Sequence, residues 1–145
     1  MNKPRFIKTK SLPKEKWKEY CKDYWLSNMG RWWSIKSEKI LAQQKNDSGY
    51  YRVRIYFPCG KNKFIFTHIA VVSLFGDVNG NKLPTSGLRS NGLSVDHISR
   101  RKRNNSVNNL EIVKHAENVT RFYIKVNRSR IQNLTSEEID QELFG

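Results

Sequence analysis

The sequence predicts an α+β protein in which a small antiparallel β module packs against a compact ββα unit. Aromatic and β-branched residues crowd the first half in short runs separated by turn residues, whereas the second half reads as strand, polar loop, short strand and helix. A chain of 145 residues is long enough for one core shared by two such modules. We expect a flexible basic arm at 1–16, the β module at 17–66, the ββα unit at 67–125 and a C-terminal tail at 126–145.

The first elements are predicted from turn residues and aromatic content. Residues 1–16 are basic and contain two prolines, a composition typical of a mobile extension. Asn28 and Gly30 tolerate positive φ, so they predict a tight turn that joins two aromatic-rich strands into a hairpin. We assign Trp32 and Trp33 to the core rather than to a base-stacking surface. The aromatic residues that would anchor this core are Trp17, Tyr20, Tyr24, Trp25, Trp32 and Trp33.

A second hairpin is predicted downstream. Residues 50–57 alternate apolar and basic side chains, the period of a half-buried strand, with Arg52 and Arg54 on the outer face. A turn at 58–62 and a returning strand at 63–66 complete the hairpin.

A helix and a long loop follow the second hairpin. Thr67 is the predicted N-cap of a helix over residues 68–75 that Gly76 ends, and we assign His68 a structural role within it. Residues 77–92 are rich in Gly, Asn and Ser, which predicts a long exposed loop. Near the end of the chain, Thr135 matches a capping box and predicts a short helix over 136–143.

The charge balance narrows the class of partner. The chain has 27 Lys and Arg against 13 Asp and Glu, a formal net charge of +14, and this excess indicates a polyanionic partner, best met by nucleic acid. Without an apolar stretch of about 20 residues or a signal peptide, we expect a soluble, cytoplasmic protein with no membrane partner. Candidate DNA contacts lie on the outer strand face and in one basic run, although both patterns also suit a merely solvated surface: Arg52, Arg54, Arg100, Arg101, Lys102 and Arg103.

The segment from 94 to 118 carries the candidate chemistry. Asp96 and His97 lie on its first strand and Asn118 on its helix, so a ββα unit would bring them together. Hydrolysis of a phosphodiester needs an activated water and charge stabilisation at the phosphate and the leaving oxygen. Asp96 and Asn118 offer the oxygen ligands that one Mg²⁺ or Mn²⁺ prefers, and His97, on the opposite strand face, suits a general base. Neither cysteine belongs to a Cys-x-x-Cys pair, so a zinc knuckle is not expected.

Four features at these separations resemble the HNH homing endonucleases of phages and self-splicing introns. They are Asp-His at 96–97, Asn-Asn at 104–105, Asn-Leu at 109–110 and the helical Asn118. Residues 24–34 are similar to the small module that often precedes the nuclease in this family, and residues 67–72 resemble its linking helix. In all, the similarity covers about residues 17–121.

The resemblance assigns roles to individual residues. It implies a ββα-metal (His-Me finger) nuclease core in which Asp96 and Asn118 bind one divalent metal ion and His97 is the general base. Asn109 would hold the loop and orient the imidazole, and Asn105 would brace the turn. His115, one helical turn before Asn118, is assigned to the helix surface or the substrate side rather than to the metal.

One departure from the family and two rival functions stand beside this interpretation. The family commonly has Asp-Gly after the catalytic His-x pair, where this chain has Ser99 and Arg100, so the turn must differ and could contact phosphate.

We expect a metal-dependent endonuclease of double-stranded DNA, either homing-type or a phage enzyme, whose products carry 5′ phosphate and 3′ hydroxyl groups. We expect it to be a monomer or homodimer without a small-molecule cofactor. The rivals are a non-catalytic DNA-binding protein that keeps the scaffold and an RNA-binding or RNA-processing module.

Overall fold

A computed structural model describes residues 3–116 of the chain. Asn118 and the predicted helix at 136–143 lie outside these residues. Within 3–116, no helix has the length and apolar character needed to cross a membrane. The elements in chain order are β1 (Trp17–Cys21), β2 (Tyr24–Ser27), β3 (Trp32–Ser34), β4 (Lys39–Ile40), β5 (Gln44–Lys45), β6 (Tyr51–Tyr56), β7 (Asn62–Phe66), α1 (Thr67–Phe75), β8 (Leu93–His97) and β9 (Leu110–Lys114).

Three antiparallel sheets are built from neighbouring strands. The first has the order β1-β2-β3-β4, the second β5-β6-β7, and the third is the β8-β9 pair. Both predicted hairpins are confirmed, since Trp25 pairs with Trp33 across β2-β3 and Arg54 pairs with Phe64 across β6-β7. Over residues 3–116 the structure thus has the predicted α+β class, with the α-helix α1 between the second and third sheets.

One main hydrophobic core joins the two halves of the chain. It contains side chains from the first sheet, from β6, from α1 and from the third sheet. Trp32 is fully buried and Trp33 is 3% exposed, as predicted for core residues. Burial of such large aromatic surfaces is the main stabilising contribution available to a chain of this size. Because Val95 and Leu110 lie in this core, the third sheet is anchored directly on the β module.

Helix α1 begins differently from the prediction. Thr67 is its first residue and not its N-cap, which is Phe66 and provides no side-chain cap. The Thr67 hydroxyl instead accepts a hydrogen bond from Trp32 Nε1 (3.0 Å) and donates one to Gln43 Oε1 (2.6 Å), because both groups are brought into the core beside it and need partners. The end is as predicted: Gly76 has φ 84°, and its N–H bonds to the carbonyl of Val72.

The N-terminal segment packs on the first sheet instead of extending as a separate arm. Ile7 is 1% exposed and clusters with Trp17 and Trp33. Glu15 is also buried, and both of its carboxylate oxygens accept hydrogen bonds from Arg31. The buried Ile7, the Phe6 ring against Trp25 and the Glu15–Arg31 ion pair therefore help to fix a segment whose average composition predicts mobility.

The loop between α1 and β8 is exposed along most of its length but is fixed at its start. Asp77 is 2% exposed. Its Oδ1 accepts hydrogen bonds from the backbone N–H groups of Asn79 and Asn81, and its Oδ2 accepts one from Ile112 on β9. This carboxylate ties the loop to the third sheet, a contact that the sequence pattern does not reveal.

Candidate active site

Strand β8 ends in the two residues that the sequence singles out. Asp96 pairs with Glu111 and His97 with Leu110 across the β8-β9 ladder. Consecutive strand residues point to opposite faces, so the His97 side chain shares its face with the fully buried Leu110. Asp96 and His97 are each 4% exposed, and both therefore need polar partners within the fold.

The partner of the His97 imidazole is Asn105. Its Oδ1 lies 2.7 Å from His97 Nε2. An amide oxygen only accepts hydrogen bonds, so Nε2 carries the hydrogen and Nδ1 keeps the basic lone pair. Burial lowers the pKa of His97 below its usual value; the Asn105 bond and the Asp96 charge oppose this effect, and Lys102 adds to it. The imidazole is therefore neutral near pH 7 and has a free base at Nδ1.

Asn109 holds the loop, as expected, but does not orient the imidazole. Its Oδ1 accepts a hydrogen bond from the backbone N–H of Ser99 (2.9 Å), and its Nδ2 donates to the carbonyl of Asn104 (2.8 Å). These bonds join both arms of the β8-β9 loop, and the loop carries Asn105 back to the end of β8. The orienting contact expected of Asn109 is thus made by Asn105.

Asp96 forms a close ion pair with Arg100. Arg100 Nη1 donates to Asp96 Oδ1 at 2.6 Å. Arg100 has φ 66°, a left-handed conformation that favours glycine, and its N–H closes a turn on the carbonyl of His97. The departure from the Asp-Gly pattern of the family therefore places a guanidinium on the Asp96 carboxylate. The phosphate contact expected of Arg100 stays a prediction.

Within the described residues, Asp96 is one of the two ligands expected for a hard cation. A buried carboxylate is the oxygen ligand that Mg²⁺ and Mn²⁺ prefer, and such ions are often held by one or two protein groups. Among residues 3–116, no three His, Cys, Asp or Glu side chains converge as a metal cluster. The second expected ligand, Asn118, lies beyond this range.

The other candidate DNA contacts lie in three different settings. The guanidinium carbons of Arg52 and Arg54 lie 3.9 and 4.0 Å from the ring centre of Phe64, on the outer face of the second sheet as predicted. Arg101 and Arg103 are exposed in the β8-β9 loop. Lys102 is engaged within the protein, because its Nζ donates to the carbonyl of Ser48 (2.7 Å).

Two aromatic residues beside His97 are absent from the predicted site. The ring centres of His68 and Tyr50 lie 5.2 and 5.9 Å from that of His97. His68 is 7% exposed, and burial, with smaller effects from His97 and Lys102, lowers its pKa to about 3. No spacing in the sequence links these residues to His97, since each comes from a different element.

A cavity of about 540 Å³ opens beside these rings. Tyr50 and His68 form part of its wall, together with strand β8. His115, which the sequence places on the helix surface or the substrate side, is exposed and also borders this cavity.

Comparison with known proteins identifies both halves of the chain. Residues 15–56 match the NUMOD4 motif, and residues 74–120 match the HNH endonuclease domain. A solved structure titled "DNA binding and cleavage by the HNH homing endonuclease I-HmuI" is similar to the chain, with a TM-score of 0.57 and 29% sequence identity. The similarity covers 87% of this chain and 64% of that one, so the chain spans less than two thirds of that protein's length. No curated protein matches the chain. Residues 74–120 therefore match an HNH endonuclease domain preceded by a NUMOD4 motif, and the chain is similar in fold and sequence to an HNH homing endonuclease.

Proposed function

We propose that this protein is an HNH endonuclease that hydrolyses phosphodiester bonds in double-stranded DNA with one divalent cation, as a homing-type or phage enzyme. The observation that carries the proposal is the state of His97. Its Nε2 is held by Asn105, which leaves Nδ1 as a base one residue from the buried Asp96 carboxylate. The similarity to a homing endonuclease described as binding and cleaving DNA supports the choice of substrate.

In this proposal, Nδ1 of His97 accepts a proton from a water molecule. The water oxygen forms a bond to phosphorus while the bond from phosphorus to the 3′ oxygen breaks. The departing 3′ oxygen takes a proton from solvent, which leaves a 5′ phosphate and a 3′ hydroxyl group. Because burial lowers the pKa of His97, the base is unprotonated at neutral pH and is ready to accept this proton. The hydrogen bond to Asn105 stabilises the imidazolium that results, since Nε2 remains a donor in that state.

Asp96 and Asn118 are the residues proposed to hold the cation. When bound, Mg²⁺ or Mn²⁺ would stabilise the negative charge that develops on the phosphate and the leaving oxygen. Asp96 is suited to this role by its buried carboxylate at the end of a strand that the hydrophobic core anchors. Arg100 is paired with the same carboxylate, so a cation would compete with its guanidinium for Asp96.

The DNA backbone is proposed to contact basic side chains on either side of the site, of which Arg52 is half-buried and the others are exposed. A net charge of +14 supports a strong, salt-dependent attraction to phosphates. Arg52 and Arg54 present guanidinium groups on the outer face of the second sheet, and Arg101 and Arg103 present them in the loop that follows His97.

A plasmid assay tests this proposal. Supercoiled DNA is incubated with the protein in Mg²⁺, in Mn²⁺ and with excess EDTA, and the cut ends are mapped on both strands. We expect metal-dependent cleavage that His97→Ala abolishes while DNA affinity, measured by fluorescence anisotropy, is nearly unchanged. Cleavage that survives EDTA or His97→Ala contradicts the mechanism. Tight DNA binding without cleavage indicates the non-catalytic alternative, and preferential competition by structured RNA indicates an RNA partner.

A further inference from the structure

The ring of His97 is packed against two rings that come from outside the matched nuclease region. The ring centres of Tyr50 and His68 are 4.8 Å apart with an interplanar angle of 22°, so these two rings stack. His68 meets His97 at 5.2 Å and 47°, and Tyr50 meets it at 5.9 Å and 36°. Tyr50 follows the β5-β6 turn and His68 lies in the first turn of α1. Both precede residue 74, where the match to the HNH endonuclease domain begins.

Lys102 holds Tyr50 from the nuclease side. Its ammonium lies 4.5 Å from the centre of the Tyr50 ring and donates a hydrogen bond to the carbonyl of Ser48 in the same turn. Lys102 belongs to the β8-β9 loop, which also carries Asn105. The β5-β6 turn is thus joined to the loop that follows His97 and, through the ring stack, to His97 itself.

The turn that presents Tyr50 is itself well defined. The side-chain Oδ1 of Asn46 accepts hydrogen bonds from the backbone N–H groups of Ser48 (3.1 Å) and Tyr50 (2.8 Å). Gly49 has φ 88° and lies against Lys102, whose Cδ would be 3.4 Å from a Cβ at that position. These contacts fix the backbone position of Tyr50. The backbone of the turn therefore sets where the Tyr50 ring lies against His68 and His97.

We propose that Tyr50 and His68 are positioning residues for His97, so that the β module, through Tyr50, and the helix α1, through His68, complete the active site of the nuclease. The hydrogen bond that His97 donates to Asn105 fixes one ring atom, Nε2, but still allows the imidazole to tilt about that contact. Rings packed on the imidazole restrict this tilt and thereby fix the direction of Nδ1. The inference rests on the proposed function, since it assumes that Nδ1 of His97 is the base.

Substitutions of Tyr50 test the positioning role. A displacement of about 1 Å in a reacting group can lower a rate roughly 100-fold, so we expect Tyr50→Ala to lower kcat by about that factor at saturating DNA. The Kd for DNA should stay within a factor of about two, because positioning affects the reaction more than binding. Tyr50→Phe keeps the ring, so its kcat should stay close to the wild-type value. Phe6→Ala, which removes a partly exposed ring from the N-terminal segment, is the matched control and should retain wild-type kcat.

A second variant and a measurement without DNA keep the test decisive. Tyr50→Leu fills space without a flat ring and guards against misfolding of the alanine variant, which thermal unfolding monitors. By NMR, the nuclear Overhauser contact between His97 Hε1 and the Asn105 side-chain amide should weaken in Tyr50→Leu and persist in Tyr50→Phe. Wild-type kcat in folded Tyr50→Leu, or an unchanged contact, overturns the inference. If the wild-type protein cuts no DNA, the proposed function fails, and the NMR contact alone decides the positioning role.

Discussion

The Nε2 atom of His97 lies 2.7 Å from Oδ1 of Asn105, and this single contact determines which ring nitrogen is basic. The bond crosses from the β8-β9 loop back to the end of β8. It leaves the lone pair on Nδ1, because only a protonated nitrogen can donate to an amide oxygen. The reactivity proposed for His97 therefore depends on a loop residue that is itself fixed by neighbouring asparagines.

Asn105→Ala should lower DNA cleavage about 100-fold, as expected when a reacting group loses its orientation. DNA affinity should remain unchanged, since Asn105 is buried beneath the loop. Single-turnover cleavage and fluorescence anisotropy measure the two quantities. Asn108→Ala, an exposed asparagine in the same loop, is the control and should behave as wild type. An equal loss in both variants would point to general disturbance of the loop.

Asn105→Asp should move the pH dependence of cleavage. A carboxylate also accepts a hydrogen bond from Nε2, so the tautomer is kept, but its negative charge favours the imidazolium. In the wild type, burial lowers the pKa of His97, which keeps the base active into mildly acidic solution. The substitution raises this pKa, so the acidic limb of the rate profile should shift to higher pH. A limb at the same pH in both proteins argues against His97 as the titrating base.

Gly30→Ala, a substitution between β2 and β3 of the first sheet, should disturb the candidate active site. A Cβ at Gly30 would lie 2.8 Å from the Cβ of Asn105 and 3.2 Å from its carbonyl oxygen, and φ is 80°. Gly60 has a similar φ of 88° but no atom within 4 Å of its added Cβ. Both alanine variants should lose about 1–2 kcal/mol of stability from the left-handed backbone, and Gly30→Ala should lose more.

Activity separates the two glycine variants. Only Gly30→Ala forces Asn105 to move, so we expect it to cleave DNA slowly at a temperature where it is fully folded. Gly60→Ala should cleave at the wild-type rate under the same conditions. Urea denaturation gives the two free energies of unfolding. Equal cleavage rates for the two variants would show that the site tolerates a displaced Asn105.

The sequence predicts elements better than it predicts contacts between them. Alternation and turn chemistry are local, so the two hairpins and the helix end at Gly76 follow directly from the residues concerned. The orientation of His97 by Asn105 instead of Asn109 depends on the path of the loop, which turns through the left-handed Arg100. Composition alone does not fix that path, and the family pattern has glycine at that point.

Averages over a segment also hide single decisive residues. Ile7 lies in a segment rich in lysine, yet it is almost fully buried against two tryptophans. Strand periodicity indicates which face of a sheet a side chain occupies, but not which distant ring will meet it. Tyr50 therefore reaches His97 through tertiary packing that no local pattern describes.

Arg100→Ala should tighten the binding of Mn²⁺. A hydrogen bond between charged groups contributes about 1.5–3 kcal/mol, and a cation must compete with Arg100 for the Asp96 carboxylate. Release of that competition should lower the Kd for Mn²⁺ about tenfold, a change of about 1.4 kcal/mol. Electron paramagnetic resonance of free Mn²⁺, without DNA, measures this Kd.

A matched arginine in the same loop separates contact from charge. Arg103→Ala removes the same unit of positive charge, but Arg103 is exposed, so the Kd for Mn²⁺ should change little. Asp96→Ala should abolish the binding. If Arg100→Ala and Arg103→Ala change the Kd equally, the effect is one of net charge and the ion pair does not compete with the metal.

His68 should make the fold sensitive to mild acid. Its pKa is about 3 in the folded protein because the ring is buried, against about 6.5 when unfolded. The unfolded chain then binds a proton that the folded chain does not, so stability is complete above about pH 6.5 and falls as the pH decreases. At 1.36 kcal/mol per pH unit, the loss from this group reaches about 2 kcal/mol by pH 5.

His68→Phe keeps a buried ring without a titrating group. Urea denaturation between pH 7.5 and pH 5, at about half-unit steps, should show a steeper decline for wild type than for His68→Phe. Parallel curves would mean that His68 remains protonated in the folded protein, and its ring would then require an anionic partner that residues 3–116 do not place beside it.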